Sequence, residues 1–328
     1  MDPFRIGVLG VAHHLILRVL NPLHKSEKVQ LYAIASRDIK KAKDAAEKWG
    51  FPVYYGSYEE LLADEKVEAV YIPLPNHMHA EWIRKCADAG KHILCEKPLT
   101  MDAKEAEEVV RYVESKGVKL MEAFMYRFHP KWKRTKELVE HGEIGKVLSI
   151  HTVFSYSNND PQNIRNIKAY GGGALMDIGC YAISTARYIL GREPIRVIGL
   201  THYDPNFETD VLSSGMLDFG VARCMFTVGT QMFPQQEVVI FGSSGTIKVT
   251  IPFNDFPDVK AKIIVQTGVG TREVEFDPVD QYQLEFESFA QAIREGKEVP
   301  TPPQDAINNM KVIEALLESG NKGTWVEL

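Results

Sequence analysis

Between residues 5 and 123, apolar positions fall into short unbroken runs, separated by stretches whose apolar residues recur at helical spacing. The runs 5–9, Val29 to Arg37 (polar and basic at its end), 53–54, 67–72, 92–95 and 118–123 read as strands. The stretches between them read as helices: one beginning around His14, then 38–49, 57–63, 78–89 and 103–116. Asn76 or His77 stands where it can cap the helix at 78. Strand and helix alternating in this way predict a parallel, doubly wound α/β sheet.

After Pro130 the texture changes. A helix over 131–141 stops at Gly142, and strand patterns then dominate at 146–156, 195–203, 211–219, 222–229, 236–241, 245–251, 261–266 and 271–276. The turn Phe241-Gly-Ser-Ser-Gly245 suits an antiparallel hairpin. Helices at 283–295 and 303–319 follow. The expected architecture is a Rossmann-type dinucleotide-binding domain over 1–123 and an α+β domain over 124–328. The second domain is built on one large, mainly antiparallel open sheet, and a C-terminal helix can pack back on the first domain. An exposed face of such a sheet is a large patch, which predicts a homodimer or homotetramer formed through it.

Composition narrows the classes. The 328 residues are 45% hydrophobic and 25% charged, an ordinary soluble composition with material for two cores. A net charge of -6 argues against a general nucleic-acid or anionic-membrane binder. No stretch approaches the roughly 18 apolar residues of a membrane span, and the first residues lack signal-peptide design. Cys86, Cys95, Cys180 and Cys224 are scattered without metal-like spacing, so reduced thiols and a cytoplasmic location are expected. The histidines, including His13-His14 and His77-x-His79, give no convincing zinc ligand set, and no metal is expected.

Candidate chemistry gathers at strand ends, where open α/β sheets bind their ligands. Gly7-x-x-Gly10-x-Ala12 follows the first strand, as a phosphate turn does, although Ala12 and Leu15 replace two glycines of the usual pattern. On its own it reads equally as a tight strand–helix turn. Ser36-Arg37, with Lys41 one helical turn on, suits the 2′-phosphate of NADP; Asp38 follows Arg37 and keeps NAD as an alternative. Glu96-Lys97-Pro98 ends the run His92 to Cys95 and reads either as a site or as a solvated loop. Gly171-Gly172-Gly173 opens a helix near Ala174 on which Asp177 and Tyr181, four residues apart, share a face. That pair is a plausible acid–base unit or simply part of a half-buried helix.

Together these stretches resemble the Gfo/Idh/MocA family of nicotinamide-dependent oxidoreductases. The landmarks are the Gly7 to Ala12 turn, Ala35-Ser36-Arg37, Pro73-x-Pro75-Asn76-x-x-His79, Glu96-Lys97-Pro98, Met121 to Pro130, Asn163-Ile164-Arg165, Gly171 to Tyr181 and Trp325 to Leu328. Tyr181 matches the branch that contains glucose–fructose oxidoreductase, NADP-dependent xylose dehydrogenase and dimeric dihydrodiol dehydrogenase. The resemblance implies a cis Lys97–Pro98 bond and hydride transfer between a nicotinamide and a sugar-like carbinol or carbonyl.

It also implies residue roles. Lys97, Asp177 and Tyr181 are the catalytic candidates. Free tyrosine titrates near 10; the Lys97 ammonium would favour the phenolate, making Tyr181 the base for oxidation and the acid for reduction. The cofactor candidates are Gly10, Ala12, His13, Ser36, Arg37, Lys41, Leu74, Pro75, Asn76, His79, Glu96, Lys97, Arg127 and Arg165. Phe154, Tyr156 and Tyr282 are candidates for an apolar wall beside the substrate. The rival from another class is a nicotinamide-binding sensor or scaffold that keeps the fold and lacks turnover.

Overall fold

The computed structural model describes residues 2–328, which divide into two compact units: residues up to 125 together with 282–307, and residues 126–281 together with 308–328.

The first unit carries a six-stranded sheet of β1 (Phe4–Leu9), β2 (Val29–Ala35), β3 (Val53–Tyr55), β4 (Ala69–Ile72), β5 (His92–Glu96) and β6 (Leu120–Ala123). Every pairing is parallel and the order is β3-β2-β1-β4-β5-β6, the doubly wound arrangement whose switch point lies between β1 and β4. Its helices are α1 (Leu20–Leu23), α2 (Ile39–Trp49), α3 (Tyr58–Ala63), α4 (His79–Asp88) and α5 (Ala103–Ser115). The helix expected from His14 is wound as a π-turn over Leu15–Val19 before α1. Neither Asn76 nor His77 caps α4: a 3₁₀ turn over Asn76–Met78 feeds it, and Met78 at the N-cap makes no side-chain bond.

In the second unit, α6 (Pro130–Glu140) precedes β7 (Val147–Ser157), and α7 (Cys180–Leu190) precedes β8 (Arg196–Tyr203). Then come β9 (Asp210–Asp218), β10 (Arg223–Gly229), β11 (Gln231–Gly242), β12 (Gly245–Thr250), β13 (Ala261–Thr267) and β14 (Gly270–Phe276). Helix α8 (Gln281–Arg294), which belongs to the first unit after Gln281, helix α9 (Pro303–Lys322), which begins in the first unit and continues in the second, and the short β15 (Val326–Glu327) complete the chain. Among the described residues the second sheet has nine strands in the order β14-β13-β12-β11-β7-β10-β9-β8-β15. It is antiparallel except between β7 and β10, whose parallel pairing the hairpin pattern did not reveal.

Register explains the core. Val197, Leu217, Cys224, Ile150, Ile240, Ile247 and Val265 lie side by side across seven strands, all fully buried. One residue along, Ile198, Met216, Met225, His151 and Val239 form the matching row on the opposite face, part-exposed to exposed. All four cysteines are buried, and among the described residues none forms a disulfide.

His129 caps α6: its Nδ1 accepts from the Lys131 N–H at 3.1 Å, which leaves the ring proton on Nε2, 3.5 Å from Asp255 Oδ2. Burial, then the Lys131 charge, push the imidazole down to about 3. In the unfolded chain it titrates near 6.5, so the unfolded state binds the extra proton as pH falls between the two values. The contribution is complete above about 6.5 and is lost on the way down towards 3. We expect His129→Asn, which can still cap but does not titrate, to flatten the fall in melting temperature between about pH 6.5 and 4. A fall as steep as in wild type would show that the imidazole is not its source.

Candidate active site

In the first unit, β1 ends at Leu9 and Gly10 turns the chain with φ +92°, a conformation that suits glycine. A Cβ there would stand 3.3 Å from the Tyr58 hydroxyl and 3.1 Å from Leu74. Tyr58 in turn bonds the Arg37 guanidinium, which opposes the upward push of burial on the phenol. Arg37 at the tip of β2 is thus linked through one hydroxyl to the turn after β1. Asp38 is committed elsewhere: its Oδ1 accepts from the N–H groups of Lys40 (3.0 Å) and Lys41 (3.3 Å) as the N-cap of α2. Ser36 is buried and its hydroxyl accepts from the Asp38 N–H, while Lys41 and His13 are exposed.

The strand end at β5 is held from three sides. Lys97 follows Glu96 directly, and the Lys97–Pro98 peptide is cis. His79, fully buried, lies with its ring nitrogens 2.9 Å from the Pro98 carbonyl and 2.8 Å from that of Leu74. Burial pushes this imidazole down against the pull of the two carbonyls. The buried Glu122 of β6 accepts the Leu99 N–H at 2.8 Å. Glu96 receives the Tyr71 hydroxyl at 2.6 Å and lies 3.2 Å from His14 Nε2. Burial pushes the Glu96 carboxyl up, but His14, Tyr71 and Lys97 outweigh it and bring it to about 2, so Glu96 is a carboxylate at neutral pH. His14 also meets Tyr282 edge-on at 5.5 Å. Pro75 and Asn76 are half-buried in the connection from β4 to α4.

In the second unit, the glycine stretch closes on the chain itself. Gly173, at φ +123°, donates to the Arg165 carbonyl at 2.9 Å, and a Cβ on it would collide with the Asp210 carboxylate. Asp210, buried, accepts from the Leu175 N–H at 2.7 Å and from Ser213 at 2.9 Å. A π-wound turn over Leu175–Gly179 then runs into α7, carrying Asp177 and Tyr181. Asp177 Oδ2 accepts from the Tyr156 hydroxyl at 2.7 Å and from Arg165 Nε at 3.0 Å. Tyr156, expected as part of an apolar wall, therefore spends its polar end fixing Asp177. Burial and the Asp177 charge push its phenol far up, and Asp177 raises the Arg165 guanidinium. The Tyr181 ring, nearly buried, packs among Phe253 (5.1 Å), Phe154 (5.7 Å) and Tyr126 (5.9 Å). Arg127 donates to Ser184 at 2.7 Å.

Within the first unit the structure thus links Gly10, Arg37 and Leu74, and His79 with the Glu96–Pro98 turn. Within the second it links Tyr156, Arg165 and Asp177, and Phe154 with Tyr181. Sequence reasoning missed Tyr58, Glu122 and Asp210. Glu122 carried a signal, an acid enclosed by the apolar residues Leu120, Met121, Ala123 and Phe124; Tyr58 and Asp210 carried none, because their partners are distant in sequence. Among the described residues no group of three or more His, Cys, Asp or Glu side chains forms a metal site.

This geometry defines a class: a Rossmann-type dinucleotide fold, joined in one chain to an α+β unit bearing an Asp–Tyr helix. Residues 4–124 match the model of the Gfo/Idh/MocA oxidoreductase family, NAD-binding Rossmann fold, and residues 132–248 match that family's C-terminal domain. The D-xylose 1-dehydrogenase (NADP(+)) 2 of Haloferax volcanii is 40% identical over 329 residues, which cover 98% of this chain and 99% of that one. KijD10, a 3-ketoreductase from Actinomadura kijaniata solved with NADP and TDP-benzene, has a TM-score of 0.91 at 29% identity, covering 97% of this chain and 98% of its own. The aldose-aldose oxidoreductase of Caulobacter crescentus has the same fold, with a TM-score of 0.92 at 24% identity over 100% of both chains. The chain belongs to the Gfo/Idh/MocA family of oxidoreductases.

Proposed function

We propose that the chain is an NADP-dependent dehydrogenase or reductase acting on a carbinol or carbonyl of a sugar-like cyclic polyol or diol. The observation that carries it is the way its proton-bearing groups are fixed. Lys97 follows a strand end fastened by His79 and Glu122, and Asp177, held by Tyr156 and Arg165, precedes Tyr181 by four residues. The relatives support the substrate class, since one is named for D-xylose and NADP and another is a 3-ketoreductase solved with NADP.

The residues of the first unit fit a dinucleotide with a 2′-phosphate. Gly10 leaves the backbone bare where a pyrophosphate approaches. At the tip of β2 the Asp38 carboxylate is taken up by the α2 amides, so Arg37, with the exposed Lys41 one helical turn on, reads the ribose phosphate. When bound, the nicotinamide supplies or takes up the hydride. In oxidation Tyr181 accepts the hydroxyl proton and Lys97 hydrogen-bonds the substrate oxygen, its ammonium favouring the phenolate. Asp177 orients neighbouring hydroxyls, with one oxygen already committed to Tyr156 and Arg165. Reduction runs the same proton path backwards. Phe154 and Tyr282 offer aromatic faces to the substrate, and Arg127 lies beside the nicotinamide.

We also assign self-association to the open face of the second sheet. The row Ile198, Met216, Met225, His151 and Val239 crosses five adjacent strands, with Leu200 75% exposed beside it. A second copy of this chain presents the same row, as a two-fold contact requires.

Three outcomes test these assignments. Arg37→Ala should weaken NADPH binding by about tenfold or more, the loss expected for a charge-assisted hydrogen bond, and leave NADH unchanged; equal losses would remove the 2′-phosphate assignment. Lys97→Met should lower kcat by about 100-fold or more with NADPH affinity retained, and wild-type turnover in that variant would refute its role. Met225→Glu should convert the oligomer to monomer in sedimentation, whereas an unchanged mass would move the interface elsewhere.

A further inference from the structure

β12 ends at Thr250, and Ile251 follows with φ 45°, a left-handed conformation that a β-branched side chain rarely adopts. Strain of this kind persists only where the surroundings over-determine it, and here they do. The Lys131 ammonium, on a side chain with no exposure, donates to the carbonyls of Ile251 (2.6 Å) and Thr250 (3.5 Å) and pairs with the Asp255 carboxylate. The Trp132 indole donates to the Pro252 carbonyl at 2.7 Å. Gln281 donates to the Phe253 carbonyl at 2.6 Å. The N–H groups of Phe253 and Asn254 both donate to Gln236 Oε1, at 3.3 and 3.0 Å. Side chains from α6, β11 and α8 thus fasten six consecutive residues, Thr250 to Asp255.

What they fasten is one ring. Phe253 is fully buried, stacked on Phe154 at 5.0 Å and packed on Tyr181 at 5.1 Å and Tyr126 at 5.6 Å. A core aromatic needs no such scaffold. A buried ion pair like that of Lys131 and Asp255 is commonly no more stabilising than apolar residues of the same volume, so its presence favours a demand on position.

We infer that the 250–255 strap is a positioning device, in which Phe253 sets the Tyr181 ring and keeps water from it. This rests on Tyr181 being the proton-handling group proposed above. Phe253 acts through Tyr181 and is a positioning residue.

The test uses the full chain labelled with carbon-13 at the tyrosine ζ position, the Tyr181 signal being identified by its loss in Tyr181→Phe. In Phe253→Leu the signal should move and its ionisation midpoint fall, because admitted water favours the phenolate. Gln236→Leu should do the same, since the strap loses the acceptor for two N–H groups, and Gln236→Glu, which keeps an acceptor, should restore the wild-type signal. In turnover with NADP and an aldopyranose panel, Phe253→Leu should lower kcat by about tenfold or more, with KM within about threefold. A Tyr181 signal and midpoint unchanged in both Phe253→Leu and Gln236→Leu would overturn the inference, as would wild-type kcat in Phe253→Leu. Wild-type turnover in Tyr181→Phe would instead overturn the underlying reading of Tyr181, whatever the strap variants do. Gln236 lies outside the ring cluster, so its pair of variants decides the matter even if Phe253→Leu folds poorly.

Discussion

A chain that leaves a sheet or enters a helix carries backbone N–H and C=O groups that must find partners once buried. In this protein many of those partners are side chains, and their choice sets where the residues of the proposed site stand. His79 and Glu122 take the backbone at Pro98 and Leu99, one and two residues past Lys97. Asp38 takes the first amides of α2 beside Arg37. Asp210 takes the Leu175 amide two residues before Asp177, and the Gly173 amide goes to the Arg165 carbonyl. The turns beside Lys97 and Asp177 are fixed by buried side chains reaching from other elements, the one beside Arg37 by its exposed neighbour Asp38, and each sets a residue of the proposed site at a fixed offset along the chain.

The same economy separates charges by role. Glu96 stays ionised because His14, Tyr71 and Lys97 outweigh its burial. Asp177 has Arg165 and Tyr156 on one oxygen. By contrast Glu285, fully buried in α8, has its carboxyl pushed well up by burial and then by the Glu96 charge. Fixed charge is thus concentrated at strand ends and on the Asp177 turn, where the proposed polar substrate and anionic cofactor would gain most from it.

Much of this was legible in the sequence. Apolar runs and helical periodicity reveal the strands and helices of the first unit because that signal is local, and register then follows from which face is buried. Arg37, Lys97, Asp177 and Tyr181 are visible because strand ends and a glycine turn mark them. The parallel pairing of β7 with β10 was not visible, since pairing direction depends on connections rather than on alternation. Nor was the polar duty of Tyr156, an aromatic at a strand position that also satisfies every apolar criterion. Tyr58, Asp210 and the Lys131–Asp255 pair escaped because their partners lie 21, 35 and 124 residues away.

The most direct test of the central claim is a titration of the purified chain with NADPH and NADH by nicotinamide fluorescence, followed by incubation with aldopyranoses, keto-sugars and dihydrodiols at the nicotinamide absorbance band. The account predicts selective NADPH binding and absorbance change with at least one sugar-like member of the panel. Binding of NADH in preference to NADPH, or cofactor binding with no turnover on any of them, would contradict it.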